Sequence, residues 1–283
     1  MNGVIIGRFM PPHRGHQYLV EFAHNYVDNL HVLVCTLSSE PIPGELRYRW
    51  MRELFPRDHI IHITEEIPEA SRGAPRAEQI WAESVRDAVD GRVDHVFASE
   101  SYGSSLAAAL GARFVPVDPA REIFPVSASL IRQDPFTYWS YLPEPVRPYF
   151  AKRVAVLTQT EAVHPAPKML ADYCNTVFVN DYARFVLKDH PDLLELGELR
   201  LAQRAAEEAL ARHANRILFC ERGETNYEEL AKYDMIIAED SIRGEALSRL
   251  AEEGKPLLRF AELSRGAIEE LARGVESALL LSG

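Results

Sequence analysis

Two histidines three residues apart, His13 and His16 in "GRFMPPHRGH", follow directly on the short apolar run "VIIG". With only Arg14 and Gly15 between them, both imidazoles can face one ligand where a loop turns into the helix predicted for "GHQYLVEFAHNYV". Gly15 leaves room for a phosphate or a ribose against the backbone, because it carries no Cβ. A helix N-terminus adds free N–H groups and partial positive charge, which favour an anion there. An isolated pair of this kind is equally compatible with two surface histidines in a turn. A second stretch, "VSASLIR", places Ser127, Ser129 and Arg132 ahead of another helical turn. Hydroxyls, N-terminal amides and a guanidinium form a second phosphate cradle, although the serines alone would also serve as helix caps. Occurring together in one α/β unit, the two motifs point to a polyphosphate.

The elements that must position these groups can be read from hydrophobic periodicity. "GVIIG", "LHVLVCTL", "HIIHIT", "DHVFAS" and "ARFVPVD" have strand length and β-branched content, and the segments between them carry helical apolar spacing. Such alternation predicts a parallel sheet covered by helices on both faces, with ligands beyond the carboxyl ends of the strands. The histidine motif falls at such an end. Around residues 135–150, "PFTYWSYLPEPVRPYF" breaks both periodicities with prolines and aromatics and reads as a join between domains. Strands are predicted again at "RVAVL", "NRILFC", "YDMIIAE" and "KPLLRF". The expected organisation is one α/β domain over 1–148 and a second over 149–283.

Bulk properties set the outer limits. A chain of 283 residues with 47% hydrophobic and 26% charged residues has ample material for two cores. The formal net charge of −11 argues against a broad nucleic-acid or anionic-membrane surface, leaving small molecules or proteins as partners. No apolar run reaches the ~20 residues of a membrane span, and no secretory segment precedes the first motif, so a cytoplasmic protein is expected. The three cysteines, Cys35, Cys174 and Cys220, lack metal or redox spacing and read as reduced, packed thiols.

The stretches "GRFMPPHRGHQYLV", "LRYRWM", "IWAESV", "VDPAR", "VSASLIRQDPFTYWSYLP" and "VRPYFAKRVAVL" resemble the HxGH nucleotidylyltransferase superfamily. The resemblance is closer to the nicotinamide mononucleotide (NMN) adenylyltransferase domain of NadR-type proteins. It implies a Rossmann-like sheet and transfer of the adenylyl group of ATP to NMN, giving NAD and pyrophosphate. By the same resemblance His13 and His16 would donate to the ATP phosphates, and Gly7, Arg8 and Phe9 would lie along them. Gly15, Ser127, Ser129 and Arg132 would complete the phosphate site. Arg47 would reach the polyphosphate tail, against the alternative of a solvated helix charge. Trp81 would stack on the nicotinamide ring, with Arg8 near NMN, against the alternative of a core aromatic. Trp50 and Trp139 read as packing residues. A magnesium ion would travel with the nucleotide, held by phosphates and water rather than by side chains.

The NadR-type resemblance also implies a ribosylnicotinamide kinase fold in the second half, opening on a phosphate loop G-x-x-x-x-G-K-[ST]. Here the chain reads "TQTEAVHPAPKML". Both glycines are missing, His164 stands near the lysine position, Pro165 and Pro167 lack amide donors, and Lys168 comes too late. "FVNDYARFVL", with Asp181, Tyr182 and Arg184, keeps part of the family pattern, and "RILFCERGETN" offers Glu221 and Arg222 where aspartates are expected. The expectation is a kinase-like domain that has lost phosphoryl transfer, with self-association of the chain. A DNA-reading helix-turn-helix, carried at the front by some NadR-type proteins, is not expected because the sequence opens on a strand. The alternatives left open are a non-catalytic nucleotide sensor, or a transferase acting on another acceptor such as phosphopantetheine or nicotinate mononucleotide.

Overall fold

The run Val4–Ile6 is apolar without alternation because β1 (Asn2–Gly7) is buried on both faces at the centre of a parallel sheet. The computed structural model describes residues 1–64, 75–160, 163–189, 196–223 and 226–280, and the chain divides into two units, Met1–Val146 and Arg147–Gly283. The division falls slightly before the 148/149 boundary read from the sequence.

In the first unit β2 (Asn29–Cys35), β3 (His59–Ile63), β4 (His95–Ala98) and β5 (Arg113–Pro116) join β1 in the order β3-β2-β1-β4-β5. All the pairings are parallel, with Gly3 opposite Leu30 on one side and His95 on the other. Alternate residues of β1 feed opposite cores, as strand geometry requires. Ile5 joins Leu19, Val20 and Met51, contributed by α1 (Arg14–His24) and α2 (Gly44–Leu54). Val4 and Ile6 join Ala82, Val85 and Leu106, contributed by α3 (Pro75–Ala88) and α4 (Tyr102–Leu110). A short α5 (Ala128–Gln133) follows the last strand. Because β2 and β4 flank β1 on opposite sides, the connections diverge there and leave a crevice at the strands' carboxyl ends.

The second unit repeats this logic after α6 (Arg147–Phe150). Its strands are β6 (Lys152–Leu157), β7 (Phe178–Val179), β8 (Ile217–Arg222), β9 (Met235–Glu239) and β10 (Leu257–Phe260), parallel and ordered β10-β9-β6-β8-β7. Val154 and Val156 of β6 pack with Phe219, Ile237, Leu170 and Leu271. The helices are α7 (Ala166–Tyr173), α8 (Tyr182–Asp189), α9 (Leu196–Ala211), α10 (Tyr227–Leu230), α11 (Glu245–Glu252) and α12 (Arg265–Leu279). The fold class is therefore two parallel-sheet α/β domains, as the alternation predicts. Every predicted strand is present, and β7 is the addition. Two residues carry no periodicity, and only pairing with Phe219 and Cys220 makes them a strand.

Trp50 and Trp139 are buried, and the three thiols are free. Burial pushes the Cys220 thiol well above its ordinary range, so it packs as a neutral group. Among the described residues no helix is long and apolar enough to cross a membrane.

Candidate functional site

At the carboxyl end of β1 the chain turns into α1 through a capping arrangement made by the two histidines. His13 is the N-cap, and its Nδ1 accepts a hydrogen bond from the Gly15 N–H at 3.1 Å. His16 Nδ1 accepts from the His13 N–H at 3.3 Å, closing a capping box in which imidazoles replace the usual hydroxyl and carboxylate. The rings stack with centroids 3.8 Å apart, and Phe9 meets His16 edge-on at 5.0 Å. Since each Nδ1 acts as an acceptor, the proton of each neutral ring sits on Nε2, and Nε2–H is the donor left for a ligand. Burial, then the positive charge of Arg121, lowers the His13 pKa to about 3. Burial, then His13 and Arg121, holds His16 well below its ordinary value. Both rings are thus neutral donors.

Glycine suits position 15 for a local reason. A Cβ there would stand 3.0 Å from His13 Cε1 and 3.1 Å from its Nδ1, a tight contact that the capping ring would have to give way to by a few tenths of an ångström. Gly7 and Phe9 support the pair from beneath: Phe9 is 2% exposed with φ of +49°, and a Cβ on Gly7 would press on its ring. They position the histidines and do not line the cavity.

A pocket of about 250 Å³ opens beside the histidines, lined by His13, Gly15, His16, Ser127 and Ser129 together with Ser99, Glu100, Asp118 and Arg121. Ser99 and Glu100 follow β4, and Asp118 and Arg121 follow β5, so the pocket occupies the divergence point of the sheet. Ser127 is the N-cap of α5, its Oγ accepting from the Leu130 N–H at 3.2 Å. Arg121 brings a cation that the motif reading did not single out. It pairs with Glu100 at 3.3 Å, both half-exposed. The loop carrying it winds around Asp118, whose carboxylate accepts from the N–H groups of Glu122, Ile123 and Phe124. Asp118 and Arg121 both adopt positive φ, +46° and +53°, without glycine. The "VDPAR" stretch quoted for the resemblance was the available signal.

Three arginines named from the sequence are engaged with other groups of the protein. Arg47 is neither a solvated helix charge nor a pocket residue, being 0% exposed. Its Nη1 donates to the carbonyls of Arg8 at 2.7 Å and Cys35 at 3.3 Å, and its Nη2 to Glu40. It ties the ends of β1 and β2 together, which suits a planar fork of donors. Arg132 donates to the Met10 carbonyl and, at 3.2 Å, to Ser129 Oγ, fixing the loop ahead of His13. Arg8 pairs with Glu40 at 3.4 Å. Trp81, on α3, is partly buried against the core that contains Val4 and Ile6, and is not among the pocket's lining. Among the described residues no group of three or more His, Cys, Asp or Glu is placed to hold a metal ion.

The corresponding divergence point of the second unit lies at the end of β6, between β8 and β9. Glu161 and Ala162 of the loop after β6, and Glu224 and Thr225 beyond β8, lie outside the described residues. Lys168 sits on α7 and pairs with Asp172 at 2.5 Å, in an exposed helical pair. Glu221 Oε1 accepts from Thr158 Oγ1 at 3.1 Å and from Arg184 Nη1 at 2.7 Å, and His164 Nδ1 lies 2.5 Å from that oxygen and 2.8 Å from Arg184 Nη1. Its Oε2 accepts from the Asp181 N–H at 3.0 Å. Glu239 accepts from the Gln159 and Thr160 N–H groups at 2.8 and 3.1 Å and from Thr160 Oγ1 at 3.0 Å. Asp181 in turn accepts from the N–H groups of Arg184 and Gly223.

Fold and site define a two-unit α/β protein with an anion-suited pocket at the divergence point of its first sheet. No protein-family model matches the chain. It is 28% identical over 206 residues to the trifunctional NAD biosynthesis/regulator protein NadR of Escherichia coli (strain K12), covering 66% of this chain and 50% of that protein. The protein of the same name from Salmonella typhimurium is 29% identical over 208 residues, with the same coverage. The chain thus spans about half the length of the curated relatives it matches. A crystal structure of NadR in complex with NR superposes with a TM-score of 0.75 at 18% identity, covering 98% of this chain and 96% of that one. NadR in complex with NAD and AMP-PNP gives 0.75 at 19% identity, with equal coverage. The chain is thus similar to NadR in sequence over 206–208 residues, and its fold is that of the NadR structures.

Proposed function

We propose that the first unit transfers the adenylyl group of ATP to nicotinamide mononucleotide, giving NAD and pyrophosphate. The observation that carries this reading is the histidine pair, whose Nδ1 atoms are held by backbone N–H groups so that two neutral Nε2–H donors serve a pocket also lined by Arg121. The sequence relation to NadR, a protein named for NAD biosynthesis, supports the choice of substrates. In the reaction an oxygen of the NMN phosphate attacks the α-phosphorus of ATP in line, the bond to the bridging oxygen breaks, and pyrophosphate leaves. A phosphate monoester has its second pKa near 6, so at neutral pH it needs no strong base. What the protein supplies is alignment and neutralisation of the charge that builds on the α- and β-phosphates.

In this reading His13 and His16 donate to the phosphates, with His16 nearest the α-phosphate in flight. Arg121 and the N-terminal amides of α1 take the charge of the leaving pyrophosphate, and Ser127 and Ser129 hold its distal end. Arg132 acts through Met10, holding the loop from which the histidines project. Arg8 and Trp81 serve the NMN side. Magnesium would arrive on the nucleotide and help neutralise its phosphates. The donor set fits an ion held mainly by phosphate and water, since Glu100 is paired with Arg121 and Asp118 is engaged by backbone N–H groups. The second unit contributes no phosphoryl transfer.

The test is pyrophosphate release from ATP on addition of NMN, followed in the wild type and in His16→Ala. NMN-dependent turnover lost in the variant supports the proposal. Binding of both nucleotides without turnover in the wild type would make the first unit a nucleotide sensor instead.

A further inference from the structure

A wholly buried cation needs a counter-charge, and that counter-charge acts on every other group packed against it. Arg47 is 0% exposed, and the carboxylate that meets its Nη2 belongs to Glu40, whose side chain is 6% exposed. Glu40 Oε2 also accepts from the Leu37 N–H at 2.9 Å, so that oxygen is engaged by two donors. Oε1 is buried, accepts no hydrogen bond and has Arg8 Nη1 at 3.4 Å. Leaving a carboxylate oxygen buried in this way is costly, and a cation against it offsets the cost. We infer that Glu40 is a positioning residue for Arg8, holding its guanidinium at the end of β1 for the phosphate of the acceptor nucleotide. The inference rests on the transferase reading, in which Arg8 serves the NMN side.

Arg8 is restrained in main chain and side chain alike. Its carbonyl accepts from Arg47 Nη1 at 2.7 Å, and the same nitrogen donates to the Cys35 carbonyl at 3.3 Å, so its backbone is tied to the end of β2. Its side chain meets a carboxylate that is itself fixed. The Glu40 N–H donates to the Leu37 carbonyl at 3.3 Å while the Leu37 N–H donates back to Glu40 Oε2, which closes the turn. Pro41 and Pro43 follow with restricted φ. A guanidinium carries five N–H donors in a planar fork, so an anchor at one nitrogen sets the direction of the others. Charge leads to the same place. Two guanidinium groups against one carboxylate leave a positive charge in excess, and of the three side chains only Arg8, at 25% exposure, reaches solvent appreciably. A cation oriented in that way suits a phosphate.

The experiment is a double-mutant cycle between Glu40→Gln and Arg8→Ala on the full chain, reading kcat, KM for NMN and KM for ATP, with denaturant unfolding alongside. Glu40→Gln keeps the shape and removes the charge. It is expected to raise KM for NMN about 5- to 10-fold and to leave KM for ATP unchanged. In the Arg8→Ala background the same substitution is expected to change KM for NMN by less than about twofold. A Glu40 that serves only to satisfy Arg47 would lower stability in both backgrounds and shift KM for NMN equally in both or in neither; either KM result overturns the inference. Should Glu40→Gln not fold, Glu40→Asp, which withdraws the carboxylate by one methylene, takes its place in the cycle under the same requirement. Arg8→Ala disturbs only a partly exposed pair and gives a check that no Glu40 variant can remove. It is expected to raise KM for NMN about 10- to 100-fold, and an unchanged value overturns the inference. Absence of turnover in the wild type would sink the transferase reading alone, and the cycle is then read as NMN affinity by calorimetry, where the same coupling decides. A wild type that neither turns over nor binds NMN overturns both.

Discussion

At the end of β1 the acceptor atoms of two imidazoles take up backbone N–H groups, and the ring donors are left to a pocket. At the end of β6 the described N–H groups of Gln159 and Thr160 are taken up by the Glu239 carboxylate. In both sheets the first strand sits between strands on either side, although the orders differ: the second strand of the unit lies beside the first in one sheet and at the edge in the other. What separates an open site from a closed one is which partner each polar group finds inside the protein. In the first unit the side chains bind the backbone and keep hydrogen-bonding capacity facing outward. In the second, carboxylates of the protein itself accept from the described donors there.

The sharpest way to break this contrast is to remove a donor from the open site. His16→Ala is expected to lower the rate of NAD formation by about 10²–10³-fold, as loss of one preorganised donor does elsewhere. A steady-state pyrophosphate assay measures it, and an unchanged rate would remove His16 from the chemistry. Removing the anion from the closed site has its effect on stability instead. Glu221→Ala removes the carboxylate that faces Arg184 and His164 and is expected to cost about 2–4 kcal/mol in denaturant unfolding of the second unit. The transferase rate measured below the transition should stay at the wild-type value.

The third prediction uses pH to test whether the open site's rings are neutral. The unfolded chain protonates His13 near pH 6.5, whereas burial delays this to about 3 in the folded state. Between these values the unfolded state binds more protons, so stability falls as pH drops through the window, by up to about 1.4 kcal/mol per pH unit from this ring. His13→Asn keeps a capping side chain without a titrating group and should flatten the dependence between pH 6.5 and 4. Parallel slopes for the two proteins would contradict neutral burial of His13. The smallest effect is expected at the rim. Glu100→Gln frees Arg121 from an exposed pair, changing stability by less than about 0.5 kcal/mol and tightening pyrophosphate by roughly twofold. Weaker binding in that variant would show that Glu100 holds Arg121 in place for the ligand.

Much of this was legible before any coordinates. The strands from "GVIIG" to "KPLLRF" announce themselves because buried parallel strands need apolar β-branched runs of their own, a local property. The HRGH turn is equally local, since capping is decided within a single helical turn. Arg47 and Arg121 were not legible. Arg47 looks like any charged residue on an amphipathic helix, and only its burial against the carbonyls of Arg8 and Cys35 shows that it ties strand ends. Arg121 lies in a loop whose course depends on three N–H groups closing on Asp118.

The sequence by itself determined the alternation of strands and helices, the pairing of His13 with His16 across one glycine, and the absence of glycine from the stretch "TQTEAVHPAPKML". These are statements about residues that are neighbours in the chain. Only the tertiary structure decided which charges meet. Glu221 and Glu239 come to the loop after β6 from strands far along the chain, and Arg121 comes to the histidines from beyond β5. A hydrogen bond forms over about 3 Å. Whether a polar group is open to a ligand or already satisfied is therefore fixed by the packing of distant segments, which no local pattern encodes.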